Sequence, residues 1–219
     1  MNQKIKIILA DDHILLRSAL TKLINSFDEC TVISDVGNGL ELIEEIKLDK
    51  TPDLILLDLN MPKMDGFETA KWLYKHHPSI NILALTMYDS EIALIRLLQS
   101  GVKGFLKKDV HPNDLRYAIK SVSENGYFYS HDTTGKLANL FQKNPDGSQF
   151  IDKAILSEKE LEFLRLASTD MTYKEIAAQL KITPRVIDSY RDNLFEKLDV
   201  KSRVGLALYA VKNGIVTFS

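Results

Sequence analysis

Five short apolar runs alternate with five longer amphipathic stretches in the first 125 residues. The runs lie at 5–10, 31–36, 54–58, 80–86 and 104–107; the stretches lie at 14–26, 39–47, 66–76, 90–100 and 112–125. Strand-length runs alternating with helix-length amphipathic segments predict a parallel, doubly wound α/β sheet. Right-handed crossovers then put helices on both faces, and a ligand belongs at the carboxyl ends of the strands.

The strand ends are therefore where chemistry is expected. The third run, Asp53-Leu54-Ile55-Leu56-Leu57-Asp58, ends in a carboxylate, and a break follows at once in Asn60-Met61-Pro62-Lys63-Met64-Asp65-Gly66. Asp11 and Asp12 directly follow the first run, Thr86 ends the fourth, and Lys108 follows the fifth. In a doubly wound sheet the first and third strands are neighbours, so three carboxylates converge in one crevice. Their repulsion is tolerable if a hard cation such as Mg²⁺ bridges them, with waters filling its octahedron. Carboxylates, a metal, a hydroxyl and an ammonium together suit a phosphoryl group, for which an aspartate is a known covalent acceptor. Taken singly, each residue has a plainer explanation: an Asp that caps a helix, a Thr that favours a strand, a solvated Lys. Their recurrence at consecutive strand ends is what capping leaves unexplained.

Composition bounds the rest. Of 219 residues, 45% are hydrophobic and 26% charged, as in an ordinary globular protein, and one or two domains are expected. Residues 150–219 carry 11 Lys and Arg against 10 Asp and Glu; with a formal net charge of −2 overall, residues 1–149 stand at −3. The single cysteine, Cys30, excludes an intrachain disulfide and a cysteine-rich zinc site. No apolar stretch approaches the roughly 18 residues of a membrane span, so no membrane partner is expected and the cytoplasm is the expected compartment.

Asn144-Pro145-Asp146-Gly147-Ser148 is turn and linker chemistry. It places a boundary within a linker at 128–152, which also holds a possible short helix at 134–142. The expected domains are 1–127 and 153–219. Beyond the linker the pattern is helical throughout. Ser157 with Glu160 and Thr172 with Glu175 are capping boxes that open the first two helices. Thr183-Pro184 opens a third as N-cap and first helical residue, and a fourth helix at 203–213 closes at Gly214. A short helix, a tight turn and a longer helix form a helix-turn-helix, whose second helix lies in the major groove when it binds DNA. Capped amphipathic helices also build any small bundle.

These motifs resemble two known families. Asp11-Asp12-His13, Asp58 with Met61-Pro62-x-Met64-Asp65-Gly66, Ala84-Leu85-Thr86 and Gly104-Phe105-Leu106-Lys107-Lys108-Asp109 resemble the receiver domain of two-component response regulators, over about residues 3–125. The resemblance implies a flavodoxin-like five-stranded sheet and Asp58 phosphorylated by a histidine kinase or a small phosphodonor. It also implies Mg²⁺ held by Asp11, Asp12, Asp58 and the Asn60 backbone carbonyl, with Thr86 as switch hydroxyl, Phe105 as switch aromatic and Lys108 beside the phosphoryl group. Many receivers have Pro after this lysine, where this chain has Asp109. Leu156-Ser-Glu-Lys-Glu160, Lys174-Glu175-Ile176-Ala177, Val186-Ile187 and Leu198-Asp199-Val200-Lys201-Ser202-Arg203 resemble the LuxR/GerE-type module of NarL/FixJ response regulators, over about 153–216. The resemblance implies an all-α four-helix domain in which 183–197 would be the recognition helix and 203–213 would help a homodimer form.

One departure concerns the DNA contacts. Asp188 and Asp192 stand where relatives often carry basic groove-facing residues. Acids there weaken non-specific binding, or accept a hydrogen bond from cytosine N4, or pair with an arginine three residues away. The DNA-contacting candidates are Thr183, Arg185, Asp188, Arg191, Asp192, Lys197, Lys201 and Arg203. The expected function is phosphorylation-controlled DNA binding and transcription, in a chain that is not primarily an enzyme. Two alternatives remain: a phospho-switched protein–protein output with little DNA binding, and an aspartate-nucleophile phosphatase. The phosphatase would want a second acid two residues after Asp58, where Asn60 stands.

Overall fold

The computed structural model describes residues 4–48, 51–87, 91–131, 133–135 and 156–216. They divide into two compact units, one built on a sheet and one on the C-terminal helices.

In the first unit, β1 (Ile5–Ala10), α1 (Ile14–Asn25), β2 (Cys30–Val36), α2 (Gly39–Lys47), β3 (Leu54–Asp58), α3 (Gly66–His76), β4 (Asn81–Thr86), α4 (Glu91–Gln99), β5 (Gly104–Lys107) and α5 (Pro112–Asn125) follow one another. The sheet is parallel throughout, in the order β2-β1-β3-β4-β5. This is the doubly wound, flavodoxin-like sheet expected, with β1 and β3 adjacent.

Strand side chains alternate between faces, so the sheet has two cores. Ile8, Ala10, Ile55, Leu57, Ile82, Ala84 and Phe105 pack on one side with Leu42 of α2, Phe67, Ala70 and Leu73 of α3, and Leu94 and Leu97 of α4. Ile7, Leu9, Leu54, Leu56, Leu83, Leu85 and Leu106 pack on the other with Ile24 of α1 and Leu115, Ile119 and Val122 of α5. The apolar α4 thus gives part of its surface to the receiver core.

The first unit continues past the boundary expected at residue 127. Phe128 forms a parallel bridge with Gly104, its N–H donates to the Lys103 carbonyl at 2.9 Å, and it joins the second core. A Cβ on Gly104 would stand 2.6 Å from the Phe128 carbonyl oxygen, so glycine permits this approach. Tyr129 lies against Phe105, ring centroids 6.1 Å apart. Phe128 thus makes a short pairing with β5 at the start of the segment expected as linker. Of the helix expected at 134–142, only Thr134 and Gly135 are described; the 144–148 turn lies outside the described residues.

The second unit contains α6 (Glu158–Ala167), α7 (Tyr173–Gln179), α8 (Pro184–Lys197) and α9 (Arg203–Lys212). Both capping boxes form, on Ser157/Glu160 and Thr172/Glu175. Thr183 occupies the N-cap position of α8 before Pro184, but its side chain makes no capping hydrogen bond. Gly214 follows α9 at φ 63°, the left-handed conformation that glycine takes at lowest cost. Phe163, Leu164, Ile176, Ile187, Leu194, Leu206 and Ala210 form the core.

Candidate functional site

The strand register gathers the predicted receiver residues at one edge. Ala10 pairs with Leu57, Asp58 with Leu85, and Thr86 with Lys107. Asp11, Asp58, Thr86 and Lys108 therefore stand at adjacent carboxyl ends. Asp11, Asp58 and Thr86 are buried, while Asp12 and His13 are exposed.

Local backbone geometry fixes this arrangement. The Asp11 N–H donates to the Val36 carbonyl at 3.1 Å, and Arg17 Nη1 donates to the Asp11 carbonyl at 2.6 Å while its Nε binds Asp35 Oδ2 at 2.8 Å. Neither Asp11 nor Asp12 caps α1: His13 holds the N-cap position, and its N–H donates to Asp11 Oδ1 at 2.8 Å. Capping is thereby excluded as the reason for this acidic pair. After Asp58 the chain turns sharply, with Lys63 at φ 66°, and Asp65 caps α3 by accepting from the Glu68 N–H. A Cβ on Gly66 would come 2.2 Å from the Asp58 carbonyl oxygen, so only glycine lets α3 start against the end of β3.

Lys108 is the cation of the crevice. Its Nζ is 2.7 Å from Asp58 Oδ2 and 2.9 Å from Asp11 Oδ2, and its N–H donates to the Thr86 carbonyl at 3.1 Å. The ammonium is shared between the two buried carboxylates, and among the described residues neither Oδ2 atom has another hydrogen-bond donor. Burial pushes the Asp58 carboxyl up to about 6; Lys108 pulls against it, Asp11 adds to it, and the Asn60 N–H, donating to the carboxylate, lowers it. Burial works to lower the Lys108 ammonium, but the two aspartates outweigh it and raise it.

Two residues join the site that strand-end reasoning did not assign to it. His13 Nδ1 is 2.8 Å from Asp12 Oδ1, 3.1 Å from Asp11 Oδ1 and 4.0 Å from Asp58 Oδ2. Arg17, four residues further on α1, anchors the backbone of Asp11. The signal for both was their position, immediately after Asp12 and one helical turn beyond.

Asp11, Asp12, His13 and Asp58 each offer a ligand atom, all within 4.8 Å of one another. Two buried carboxylates that share a single ammonium, beside the third carboxylate of Asp12, fit a divalent cation with oxygen ligands. Phe105 is buried in the first core against Tyr129. The Lys108–Asp109 peptide bond is trans.

On the second unit, α8 turns Ile187 and Leu194 inward and leaves Arg185, Asp188 and Asp192 exposed. Arg191 Nη1 binds Asp188 Oδ1 at 2.9 Å, and Arg191 Nε binds Asp192 Oδ1 at 2.9 Å. Lys181 and Lys201 are exposed at either end of the helix. Two of the predicted DNA-contacting residues are engaged inside the unit: Lys197 Nζ binds both carboxylate oxygens of Glu160 at 3.0 and 3.1 Å, and Arg203 donates to the carbonyls of Ala167 and Thr169 at 2.9 and 2.6 Å.

Comparison with known proteins accounts for both units. The model of the response regulator receiver domain matches residues 7–120, and that of the bacterial regulatory proteins of the luxR family matches 154–210. Oxygen regulatory protein NreC of Staphylococcus carnosus is 30% identical over 97% of this chain and 100% of its own. The nitrate/nitrite response regulator protein homolog of Haemophilus influenzae is 34% identical over 93% and 95%. Among solved structures, RcsB from Salmonella enterica serovar Typhimurium bound to promoter rprA in the presence of phosphomimetic BeF3- superposes with a TM-score of 0.68, at 25% identity over 94% of this chain and 98% of that one. The chain belongs to the NarL/FixJ family of two-component response regulators, in which a receiver domain precedes a LuxR-type helix-turn-helix domain.

Proposed function

We propose that a histidine kinase, or a small phosphodonor, phosphorylates Asp58, and that this modification controls sequence-specific DNA binding by the C-terminal domain and so transcription. The observation that carries this reading is the buried Asp58 carboxylate held 2.7 Å from the Lys108 ammonium, beside Asp11 and at the edge shared with Thr86. A carboxylate oxygen of Asp58 attacks phosphorus as the bond to the donor's nitrogen or oxygen breaks, leaving an acyl phosphate on the protein. Lys108 neutralises charge on the transferred group, and the Thr86 hydroxyl donates to it. Asp11, Asp12, Asp58 and the Asn60 carbonyl would hold Mg²⁺, which supplies charge neutralisation and orientation to the phosphoryl oxygens. Water later hydrolyses the acyl phosphate slowly; this self-directed chemistry is the chain's only catalysis.

The phosphoryl group adds charge and acceptor oxygens beside Thr86. Movement of Thr86 frees space for Phe105, whose ring lies against Tyr129 at the start of the linker. The shift equals the difference in stabilisation between the two states and no more. On α9, Val204 and Leu208 lie one turn apart and exposed, and they supply the face for a second copy when DNA is bound. RcsB in complex with DNA, 26% identical with a TM-score of 0.63, supports the DNA-binding part of this reading. A regulator of this kind works where the DNA is, in the cytoplasm; among the described residues no helix is long and apolar enough to cross a membrane. The neutralised Arg191 favours one competing output, protein–protein contact in place of DNA.

Acetyl phosphate with Mg²⁺ is expected to add one phosphoryl group to the wild-type chain, read by intact mass, and none to Asp58→Asn. Labelling that persists in the variant overturns the assignment.

A further inference from the structure

The recognition helix carries its own counter-charges. Between Pro184 and Lys197 the basic residues are Arg185, Arg191 and Lys197 and the acidic ones Asp188, Asp192 and Glu196, so α8 has no net charge. Arg191 is enclosed: Nη1 binds Asp188 Oδ1 at 2.9 Å, while Nη2 and Nε reach the same Asp192 oxygen at 2.8 and 2.9 Å. Its guanidinium lies 5.7 Å from the ring centroid of Tyr173 on α7, which limits its freedom to turn elsewhere. The arginine side chain is 29% exposed, whereas the two aspartates are 55% and 63% exposed. The acids are thus more open to an approaching polyanion than the base they hold.

Stability does not explain this arrangement. Ion pairs as exposed as these contribute little to folding. Their larger consequence is for association, because phosphate contacts by Lys and Arg supply most sequence-independent affinity for DNA. An arginine already closed by two carboxylates has to exchange them for a phosphate, and the displaced acids are then left facing the backbone charge.

We infer that Asp188 and Asp192 are specificity-determining residues, forming a latch on Arg191 that suppresses binding to duplex DNA of arbitrary sequence; the inference rests on the DNA-binding reading. A base edge that takes the aspartates as hydrogen-bond acceptors, such as cytosine N4, opens the latch, and a bare phosphate does not. Arg191 is then delivered at the right site only.

The test uses the full chain, wild type and Asp188→Asn/Asp192→Asn, by fluorescence anisotropy on a random-sequence duplex and on a duplex enriched by the wild type, across a range of salt. Asparagine keeps the size of both side chains, and each single variant provides a second measurement. The double variant is expected to bind the random duplex about tenfold more tightly near 0.1 M salt, with a log–log salt slope steeper by about 0.9, the signature of one gained phosphate contact. Its preference for the enriched duplex falls. In an Arg191→Gln background the gain is expected to disappear, since the latch acts through Arg191. Unchanged random-duplex affinity, or a gain that persists without Arg191, overturns the latch. A wild-type chain that enriches no sequence contradicts the DNA-binding reading itself, and the random-duplex comparison still decides the latch.

Discussion

Lys108 and Asp58 form a close ion pair, Nζ to Oδ2 2.7 Å, and yet the Asp58 carboxyl is pushed up to about 6. Burial outweighs the lysine. The unfolded chain gives up this proton near 3.8 and the folded chain near 6. Well below pH 3.8 both states are protonated and Asp58 contributes nothing. As pH rises through that window, folding loses on the order of 3 kcal/mol, and the loss is complete above about pH 6. In EDTA at pH 7.5, Asp58→Asn is therefore expected to be more stable than wild type by urea unfolding, with the difference vanishing at about pH 3. A less stable variant at pH 7.5 contradicts this.

Removing the lysine has the opposite effect. Lys108→Met leaves Asp58 and Asp11 buried together with their nearest cation gone. Loss of one partner of a buried pair costs about 3–5 kcal/mol, a range that partial neutralisation of Asp58 places at its lower end. Urea titration in EDTA measures the loss, and added Mg²⁺ should recover part of it. Equal stability with and without Lys108 shows that the carboxylates do not depend on it.

Gly66 is a steric requirement. Its substituent would meet the Asp58 carbonyl oxygen at 2.2 Å and the Leu59 Cα at 2.6 Å, both backbone atoms with little room to move. Gly66→Ala is expected to cost about 1–3 kcal/mol and to lower the phosphorylation rate by displacing Asp58. Thermal melts and acetyl phosphate labelling read the two effects, and a neutral substitution refutes the close packing.

Glu160 ties α6 to α8. Burial raises its carboxyl, but the Ser157 N–H and the Lys197 ammonium outweigh burial and hold it below the usual range. A carboxyl lowered in the folded state stabilises above its unfolded value, and that stability disappears as pH falls through the folded value. Glu160→Gln is expected to destabilise the C-terminal helices by about 1 kcal/mol at pH 7 and by progressively less below pH 4.5. A cost that does not change with pH assigns the effect to packing.

The sheet was legible because buried parallel strands are apolar runs, and the runs ending at Ala10, Asp58 and Thr86 mark three strand ends as they stand. Edges moved by a residue where a boundary residue is small or polar: β2 begins at Cys30 and β4 at Asn81. Asp11, Asp58, Thr86 and Lys108 were legible for the same reason, since their convergence follows from strand order. The pairing of Phe128 with β5 was not, because its partner lies two elements away and no local pattern signals it. The engagement of Lys197 by Glu160 and of Arg203 by the Ala167 carbonyl was hidden likewise, by separations of 37 and 36 residues. Asp188 with Arg191 was readable from helical spacing. That Asp192 also closes on Arg191 was not, since adjacent helical residues do not face each other and only the arginine's reach brings them together.

The link between the two domains is tested most directly by measuring the affinity of the full chain for its enriched duplex before and after acetyl phosphate treatment, with Asp58→Asn alongside. Affinity that rises on phosphorylation in the wild type and stays constant in the variant is the expected result. Equal affinity in phosphorylated and unphosphorylated wild type, with Asp58 modified, would contradict it.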